Sequence, residues 1–156
     1  MRIVKSSPVR SFLAAVALFA GADLGAQTTY DLNLTIGGGT AVGQIVTDGT
    51  VGAITFSNFL SYSILLSPNP GSQFTITNLN SSILATQNLV ASSSELVFDF
   101  SGTGFWLMQN PSPGSSINYL CFTNSLCGGF SGPGVSMATD VFGANYEALS
   151  GRQVVA

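Results

Sequence analysis

Hydrophobic and polar residues alternate along most of the chain after residue 27, as they do in half-buried β-strands. In "YDLNLTI", Tyr30, Leu32, Leu34 and Ile36 are each separated by one polar residue. Shorter runs of this kind follow, with turn residues about every eight to twelve positions. The pattern predicts an all-β fold of about eight to ten strands, either an antiparallel β-sandwich or a flattened, jelly-roll-like barrel.

Two hairpins are predicted from local turn chemistry. Asp48-Gly49 lies between "TAVGQIV" and "VGAITF", and Asp-Gly favours the positive φ angles of a two-residue type I′ turn. "GTG" at 102–104 separates the aromatic runs "ELVFDF" and "FWLMQN", which predicts a second hairpin. The heavy packing residues of that second hairpin are predicted to be Phe98, Phe100, Phe105 and Trp106.

The remaining segments give weaker predictions. "PNPG" at 68–71 interrupts regular strand pairing, because proline lacks the backbone N–H that a ladder needs. "SQFTITNLN", "SILATQNLVA" and "INYLCF" are each predicted to form one strand, and the glycine-rich stretch before Gly134 is predicted to be a loop. The final "YEALSGRQVVA" fits either a closing strand or a frayed end.

The N-terminus has the composition of a signal peptide. Three basic residues lie within the first ten positions, residues 12–20 are apolar, and small residues follow. Cleavage fits after Ala22 or after Ala26, so residues 1–26 are interpreted as a signal peptide and 27–156 as one β-rich domain. The apolar run is about half the roughly 20 residues that a membrane span needs. The alternative is an apolar helix packed on the domain.

Removing that segment changes the charge of the protein, because Arg152 is then the single basic residue. Six acidic residues follow residue 26, so the net charge is −5, or −6 if Asp23 is retained. Such a surface does not neutralise phosphates. Nucleic acid and anionic lipid are therefore not expected as partners.

The two cysteines, Cys121 and Cys127, occur in a chain without histidine. A tetrahedral zinc site needs four nitrogen or sulfur ligands, and a catalytic thiol needs a base. The spacing also differs from that of a redox Cys-x-x-Cys pair. A Cys121–Cys127 disulfide is the remaining interpretation, worth about 2 kcal/mol for so short a loop; two reduced, buried thiols are the alternative.

Carboxylates are the other candidate chemical groups, and Glu95 and Asp99 are the nearest pair in sequence. Four residues apart on a strand, their backbones stand about 13 Å apart, beyond the spacing of glycosidase carboxyl pairs. Calcium binding is an alternative role for the acidic side chains. The sequence contains no D-x-D run, however, and a turn accounts for Asp48 and a solvated loop for Asp140. The sequence predicts no cofactor and no catalytic residue.

Aromatic side chains offer a binding surface for sugars. Tyr30, Tyr62, Tyr119, Tyr146 and Trp106 are candidates for a stacking platform, and Tyr62, Trp106 and Tyr119 are the predicted ligand contacts. Core packing is the alternative, especially for Trp106 within "GFWLM".

Together, the signal peptide, "YDLNLTI", "GQIVTDGTVGAI", "NFLSYSILL", "ELVFDFSGTGFWLMQ", "INYLCF" and "SGRQVVA" resemble the variable exported domains of bacterial PEP-CTERM proteins. The resemblance covers about residues 28–156. It implies secretion, sorting by an exosortase, and a place in the envelope or exopolysaccharide matrix of a Gram-negative, biofilm-forming bacterium. It implies no enzymatic activity.

We therefore expect a non-catalytic structural or adhesive protein, secreted or periplasmic, with exopolysaccharide or other matrix components as its partners. A carbohydrate-binding β-sandwich module is the second hypothesis, and a carboxylate-dependent hydrolase is the third. The three hypotheses predict different behaviour towards polysaccharide. A binding module would hold polysaccharide through specific aromatic side chains, a hydrolase would cleave it, and a structural or adhesive protein would do neither.

The end of the chain departs from the PEP-CTERM pattern. That family carries a Pro-Glu-Pro motif, an apolar helix and a basic tail after a segment similar to "YEALSGRQVVA", whereas this sequence stops at Ala156. No run of about 20 apolar residues follows Ala26. We expect the mature chain to be soluble, without a membrane span.

Overall fold

A computed structural model describes residues 26–87, 89–111, 113, 117–127, 130–140 and 144–156. The predicted signal peptide, apart from Ala26, lies outside the described residues. Regular structure in the described part consists of β-strands and one 3₁₀ turn, Phe56–Asn58. The strands are β1 (Thr28–Ile36), β2 (Gly39–Thr47), β3 (Gly52–Ile54), β4 (Phe59–Ser67), β5 (Phe74–Thr77), β6 (Ser82–Ala85), β7 (Leu89–Ala91), β8 (Leu96–Asp99), β9 (Phe105–Gln109), β10 (Tyr119–Thr123), β11 (Leu126–Cys127), β12 (Phe130–Ser131), β13 (Gly134–Ala138), β14 (Ala144–Ala148) and β15 (Arg152–Val154).

The predicted all-β antiparallel architecture is confirmed. Sheet A has the strand order β1-β2-β4-β5, sheet B has β15-β8-β7-β3, and sheet C has β14-β13-β10-β9-β6. β11 and β12 form a separate two-stranded ribbon. The strands outnumber the predicted eight to ten, because the chain passes between sheets after short segments.

Alternation explains sheet A directly. Even-numbered residues of β1 face the core while odd-numbered ones face solvent, as the period of two requires. β1 and β2 join through a two-residue turn, with Ile36 opposite Gly39 and Gly37 at φ 57°. This turn, and not the Asp48-Gly49 site, is the tight hairpin of the region.

The predicted hairpin at Asp48-Gly49 is wrong. β2 pairs with β1 and β4, whereas β3 pairs with β7 of sheet B, so this segment is a connection between two sheets. The Asp48 carboxylate accepts hydrogen bonds from the Thr50 backbone N–H at 3.0 Å and from Asn58 Nδ2 at 3.0 Å. Asp-Gly therefore supplies a bend here, while burial decides which strands pair.

The second predicted hairpin is also wrong, although its core residues are placed correctly in three cases. β8 belongs to sheet B and β9 to sheet C, so residues 102–104 cross between sheets. Phe98, Phe100 and Trp106 are buried, whereas Phe105 is half-buried on the other face of sheet C. The two aromatic segments, which form β8 and β9, each have one apolar face. Such a face is buried equally well when the segments pair as one hairpin and when they lie in two sheets that pack against each other.

Three weaker predictions also change. "SILATQNLVA" forms two strands, β6 and β7, in different sheets, and the glycine-rich loop contains the β11–β12 ribbon. The C-terminal segment closes the fold with β14 on sheet C and β15 on sheet B. Val155 is 3% exposed and lies in the core, so this end is packed instead of frayed.

One hydrophobic core joins the three sheets, with members from Tyr30 to Val155. The ring of Phe59 on β4 lies 5.0 Å from that of Trp106 on β9, and Phe98 on β8 lies 6.0 Å from Phe122 on β10. Sheets A and B thus both pack on the inner face of sheet C. No helix among the described residues is long and apolar enough to span a membrane.

Candidate functional site

The predicted disulfide is present and lies on the outer face of sheet C. Cys121 and Cys127 are bonded, with an S–S distance of 2.02 Å and a Cα–Cα distance of 6.4 Å. Cys121 is buried on β10, and Cys127 is on β11. The bond therefore ties the β11–β12 ribbon to the sheet. We call the described residues 124–127 and 130–133 the flap.

The flap covers a second apolar cluster. Tyr119, Cys121 and Ala138 are buried there, with Phe105 and Leu107 packed beside them. As a result, every residue of β10 and β13 is buried, on both faces of the sheet. Such double burial distinguishes the centre of sheet C from the one-sided strands of sheet A.

Aromatic stacking and hydrogen bonds anchor the flap to sheet C. The rings of Phe130 and Tyr146 stack with centroids 5.1 Å apart and planes 7° from parallel. Tyr146 Oη donates to the Pro133 carbonyl at 2.8 Å, and Ser136 Oγ donates to the Cys127 carbonyl at 3.4 Å. Phe130 and Tyr146 remain partly exposed.

The three predicted ligand-contact aromatics lie in the interior. Tyr62 is 5% exposed, Tyr119 1% and Trp106 0%. Burial raises the pKa of both tyrosines, and Tyr62 Oη also exchanges a hydrogen bond with Ser81 Oγ at 2.9 Å. A sugar stacks on an accessible ring face, which these side chains do not offer. They have the core role that the sequence left as the alternative, and Tyr30 does too.

Phe130 was not among the sequence candidates, although it forms half of the partly exposed aromatic pair. Its signal is its context: a phenylalanine within glycine-rich "GGFSGPG" has no alternating neighbours that would bury it in a strand. Tyr146 was considered for the stacking platform, and the structure leaves it at the surface.

The two candidate carboxylates, Glu95 and Asp99, lie at opposite ends of β8. Glu95 precedes β8 and is exposed, whereas Asp99 is the last residue of β8. The Asp99 carboxylate accepts hydrogen bonds from the Ser101 backbone N–H at 2.9 Å and from the Ser101 hydroxyl at 2.6 Å. These hydrogen bonds lower the pKa of Asp99, with a smaller contribution from the charge of Arg152, which lies opposite on β15. Among the described residues, no group of three or more His, Cys, Asp or Glu side chains is arranged to hold a metal.

The outer face of sheet A is a broad polar surface. Its exposed positions carry mostly hydroxyl and amide groups, including Asn33, Thr35, Thr40, Gln44, Ser63 and Thr75. Asp31 is its one ionisable side chain, and Asp31 Oδ1 accepts a hydrogen bond from Gln44 Nε2 at 2.9 Å. Val42 and Leu65 lie opposite each other at its centre, 46% and 37% exposed.

We call this surface the sheet A face. Its groups stand about 4.8 Å apart across strands and about 6.8 Å apart along them. A surface of this kind presents many hydrogen-bond donors and acceptors and few charges. Comparisons of the chain with protein-family models, curated proteins and solved structures find no match.

Proposed function

We propose that this chain is a non-catalytic, exported structural or adhesive protein of a bacterial envelope or exopolysaccharide matrix. The observation that carries the proposal is the sheet A face, a four-stranded surface of hydroxyl and amide groups with one carboxylate and no cation. The PEP-CTERM resemblance and the signal-peptide composition support the location.

The chemistry of the sheet A face favours neutral polysaccharide as the partner. Sugar hydroxyls donate and accept hydrogen bonds, as do the side chains of Gln44 and the surrounding serines and threonines. Val42 and Leu65 add a small apolar contact for the C–H faces of sugar rings. The lack of a cation on this face gives an acidic polysaccharide no charged partner.

Retention in an extracted matrix tests this proposal. Val42→Lys places a long, charged side chain at the centre of the sheet A face, and we expect the variant to elute from the polysaccharide matrix at lower salt or detergent. Leu79→Lys makes the same chemical change at a turn where Leu79 is 92% exposed, and we expect it to behave like the parent chain. Equal retention of all three proteins would contradict the proposal.

Catalysis is tested separately with the purified protein. We expect no release of reducing ends from neutral or acidic polysaccharides. Turnover that disappears on Asp99→Asn or Glu95→Gln, with the fold intact by circular dichroism, would show a hydrolase instead.

A second candidate function, a carbohydrate-binding module, is favoured by the stacked Phe130–Tyr146 pair. Both rings are partly exposed, and aromatic rings with an accessible face bind sugars by stacking. Affinity electrophoresis in gels that contain one polysaccharide distinguishes the two functions. A module using this pair would lose its retardation in Phe130→Ala and keep it in Val42→Lys, whereas an adhesive sheet A face predicts the reverse.

A further inference from the structure

The chain contains two Asn-x-Ser/Thr sequences that are not interrupted by proline. These are Asn33-Leu34-Thr35 and Asn80-Ser81-Ser82, whereas Asn110 is followed by Pro111. This tripeptide is the acceptor signal for N-linked glycosylation in exported proteins. The signal alone is common, so the environment of each asparagine decides whether it is a site.

Asn33 lies on an edge strand with its side chain in solvent. β1 pairs with β2 alone within sheet A, and Asp31, Asn33 and Thr35 are all exposed on its outer side. Among the described residues, the Asn33 amide makes no hydrogen bond. The segment therefore presents a carboxylate, an amide and a hydroxyl at alternate positions of one extended, accessible strand.

Asn80 has the same tripeptide but a structural role. Its Oδ1 accepts from the Thr77 backbone N–H at 2.7 Å, and its Nδ2 donates to the Thr75 carbonyl at 2.9 Å. Both ends of the amide are thus used to hold the turn after β5. A glycan on Asn80 Nδ2 would have to fit beside the hydrogen bond that this nitrogen donates to the Thr75 carbonyl, within the turn that the amide holds.

We propose that Asn33 is an N-glycosylation site, modified by a transferase that uses a polyprenyl-pyrophosphate-linked oligosaccharide. In this reaction the Asn33 Nδ2 attacks the anomeric carbon of the sugar. The N–C bond forms as the C–O bond to pyrophosphate breaks, the amide proton leaves to a base, and polyprenyl pyrophosphate departs. No atom changes oxidation state.

Glycosylation in the cell rests on the proposed export, since such transferases act outside the cytoplasm, but the acceptor property of Asn33 does not. The glycan would stand on β1, in the outermost column of the sheet A face. Because the Asn33 amide makes no hydrogen bond among the described residues that a sugar would break, we expect the modified chain to fold normally.

The test uses the purified full chain and is independent of export. The chain is refolded by dilution in the presence of a purified single-subunit oligosaccharyltransferase and a polyprenyl-pyrophosphate oligosaccharide, and its intact mass is measured. We expect a mass increase of one glycan per chain. Asn33→Gln and the near-isosteric Thr35→Val should abolish the increase, whereas Ser82→Ala, which destroys the second tripeptide without touching the Asn80 amide, should leave it unchanged.

Three outcomes would overturn the proposal. The first is an unmodified chain under conditions in which an Asn-x-Thr control peptide is modified. The second is a mass increase that persists in Asn33→Gln, which would place the sugar elsewhere. The third is a modified chain whose melting temperature falls well below that of the unmodified chain, which would show that Asn33 is needed by the fold.

Discussion

Sheet A and the centre of sheet C differ in what their two faces contact. In sheet A, one face packs on the core and the other carries Thr, Asn, Gln and Ser side chains. In β10 and β13, both faces are buried, one by the common core and the other by the flap. The flap is covalently tied to β10 by the disulfide.

The comparison shows that the second face of a sheet determines what its sequence must be. A solvated face tolerates polar residues and can display a binding surface, as in sheet A. A covered face needs a cover, which here is a short two-stranded ribbon. The ribbon is attached to sheet C through the disulfide, the Phe130–Tyr146 stack and hydrogen bonds.

The largest expected effect concerns the core face that the two regions share. Trp106→Ala removes a fully buried ring that packs on Phe59 of sheet A, and we expect a loss of about 3–5 kcal/mol in the free energy of unfolding. Urea denaturation measures it. Trp106→Phe is the matched control: it keeps an aromatic ring and removes the indole N–H, which has no hydrogen-bond partner among the described residues. A loss in Trp106→Phe as large as in Trp106→Ala would contradict this account.

The next effect tests how closely the strands of sheet A approach one another. A Cβ at Gly43 would lie 2.0 Å from the Ser63 carbonyl oxygen and 2.7 Å from the Ile64 Cα, both backbone atoms that cannot rotate away. We expect Gly43→Ala to lower the free energy of unfolding by about 3 kcal/mol, the upper end for overpacking. Gly38→Ala is the control, because the nearest atom to a Cβ added at Gly38 belongs to the Asn69 side chain, 3.6 Å away. Similar stabilities of the two variants would refute the close approach.

Breaking the disulfide should affect sheet C and leave sheet A unchanged. We expect the Cys121→Ala/Cys127→Ala variant to lose about 2 kcal/mol of stability, the loop-closure value for so short a ring. Hydrogen exchange should accelerate in the flap and in the outer-face residues beneath it, but not in β1 or β2. Reductant should reproduce the effect in the parent chain and do nothing further to the variant. Faster exchange throughout sheet A would mean that the disulfide supports the whole fold.

A smaller effect is expected where the flap is held by one hydrogen bond. Tyr146→Phe removes the bond to the Pro133 carbonyl and keeps the ring stacked on Phe130, so we expect a loss of about 0.5–1.5 kcal/mol, confined to the flap. Tyr146→Leu should cost more, because it also removes the stack. Thermal unfolding of both variants gives the comparison, and equal melting temperatures would assign no role to the stacking.

The smallest effect belongs to the acids at strand ends, outside both faces. Hydrogen bonds from Asn58 and then Thr50 lower the pKa of Asp48, and hydrogen bonds from Ser101 lower that of Asp99. A folded-state pKa below the ordinary value of 3.8 adds stability that is present above that value and is lost as the pH falls through the folded pKa. We expect a modest decline in melting temperature below about pH 4. Asp48→Asn should flatten it, and Asp48→Asn/Asp99→Asn should flatten it further; an unchanged decline would assign it to other groups.

The sequence by itself determined features that depend on neighbouring residues. Alternation at Tyr30, Leu32 and Ile36 predicted their burial, because side chains of a strand point to opposite faces whatever the strand pairs with. The Cys121–Cys127 disulfide followed from the available ligands and bases and from a loop short enough to close. Size and hydrophobicity predicted Phe98, Phe100 and Trp106 as packing residues, whereas Phe105, predicted in the same way, is half-buried.

Only the tertiary structure decided which strands are neighbours and which aromatics remain accessible. Asp48-Gly49 and "GTG" at 102–104 bend the chain equally well within a sheet and between sheets, and only the burial of the whole set of strands distinguishes the two. Tyr62 and Tyr119 are indistinguishable from Tyr146 by residue type, yet the first two are sealed by the core and the flap, and Tyr146 is at an edge. Exposure depends on what lies above a residue, and residue type alone does not specify that.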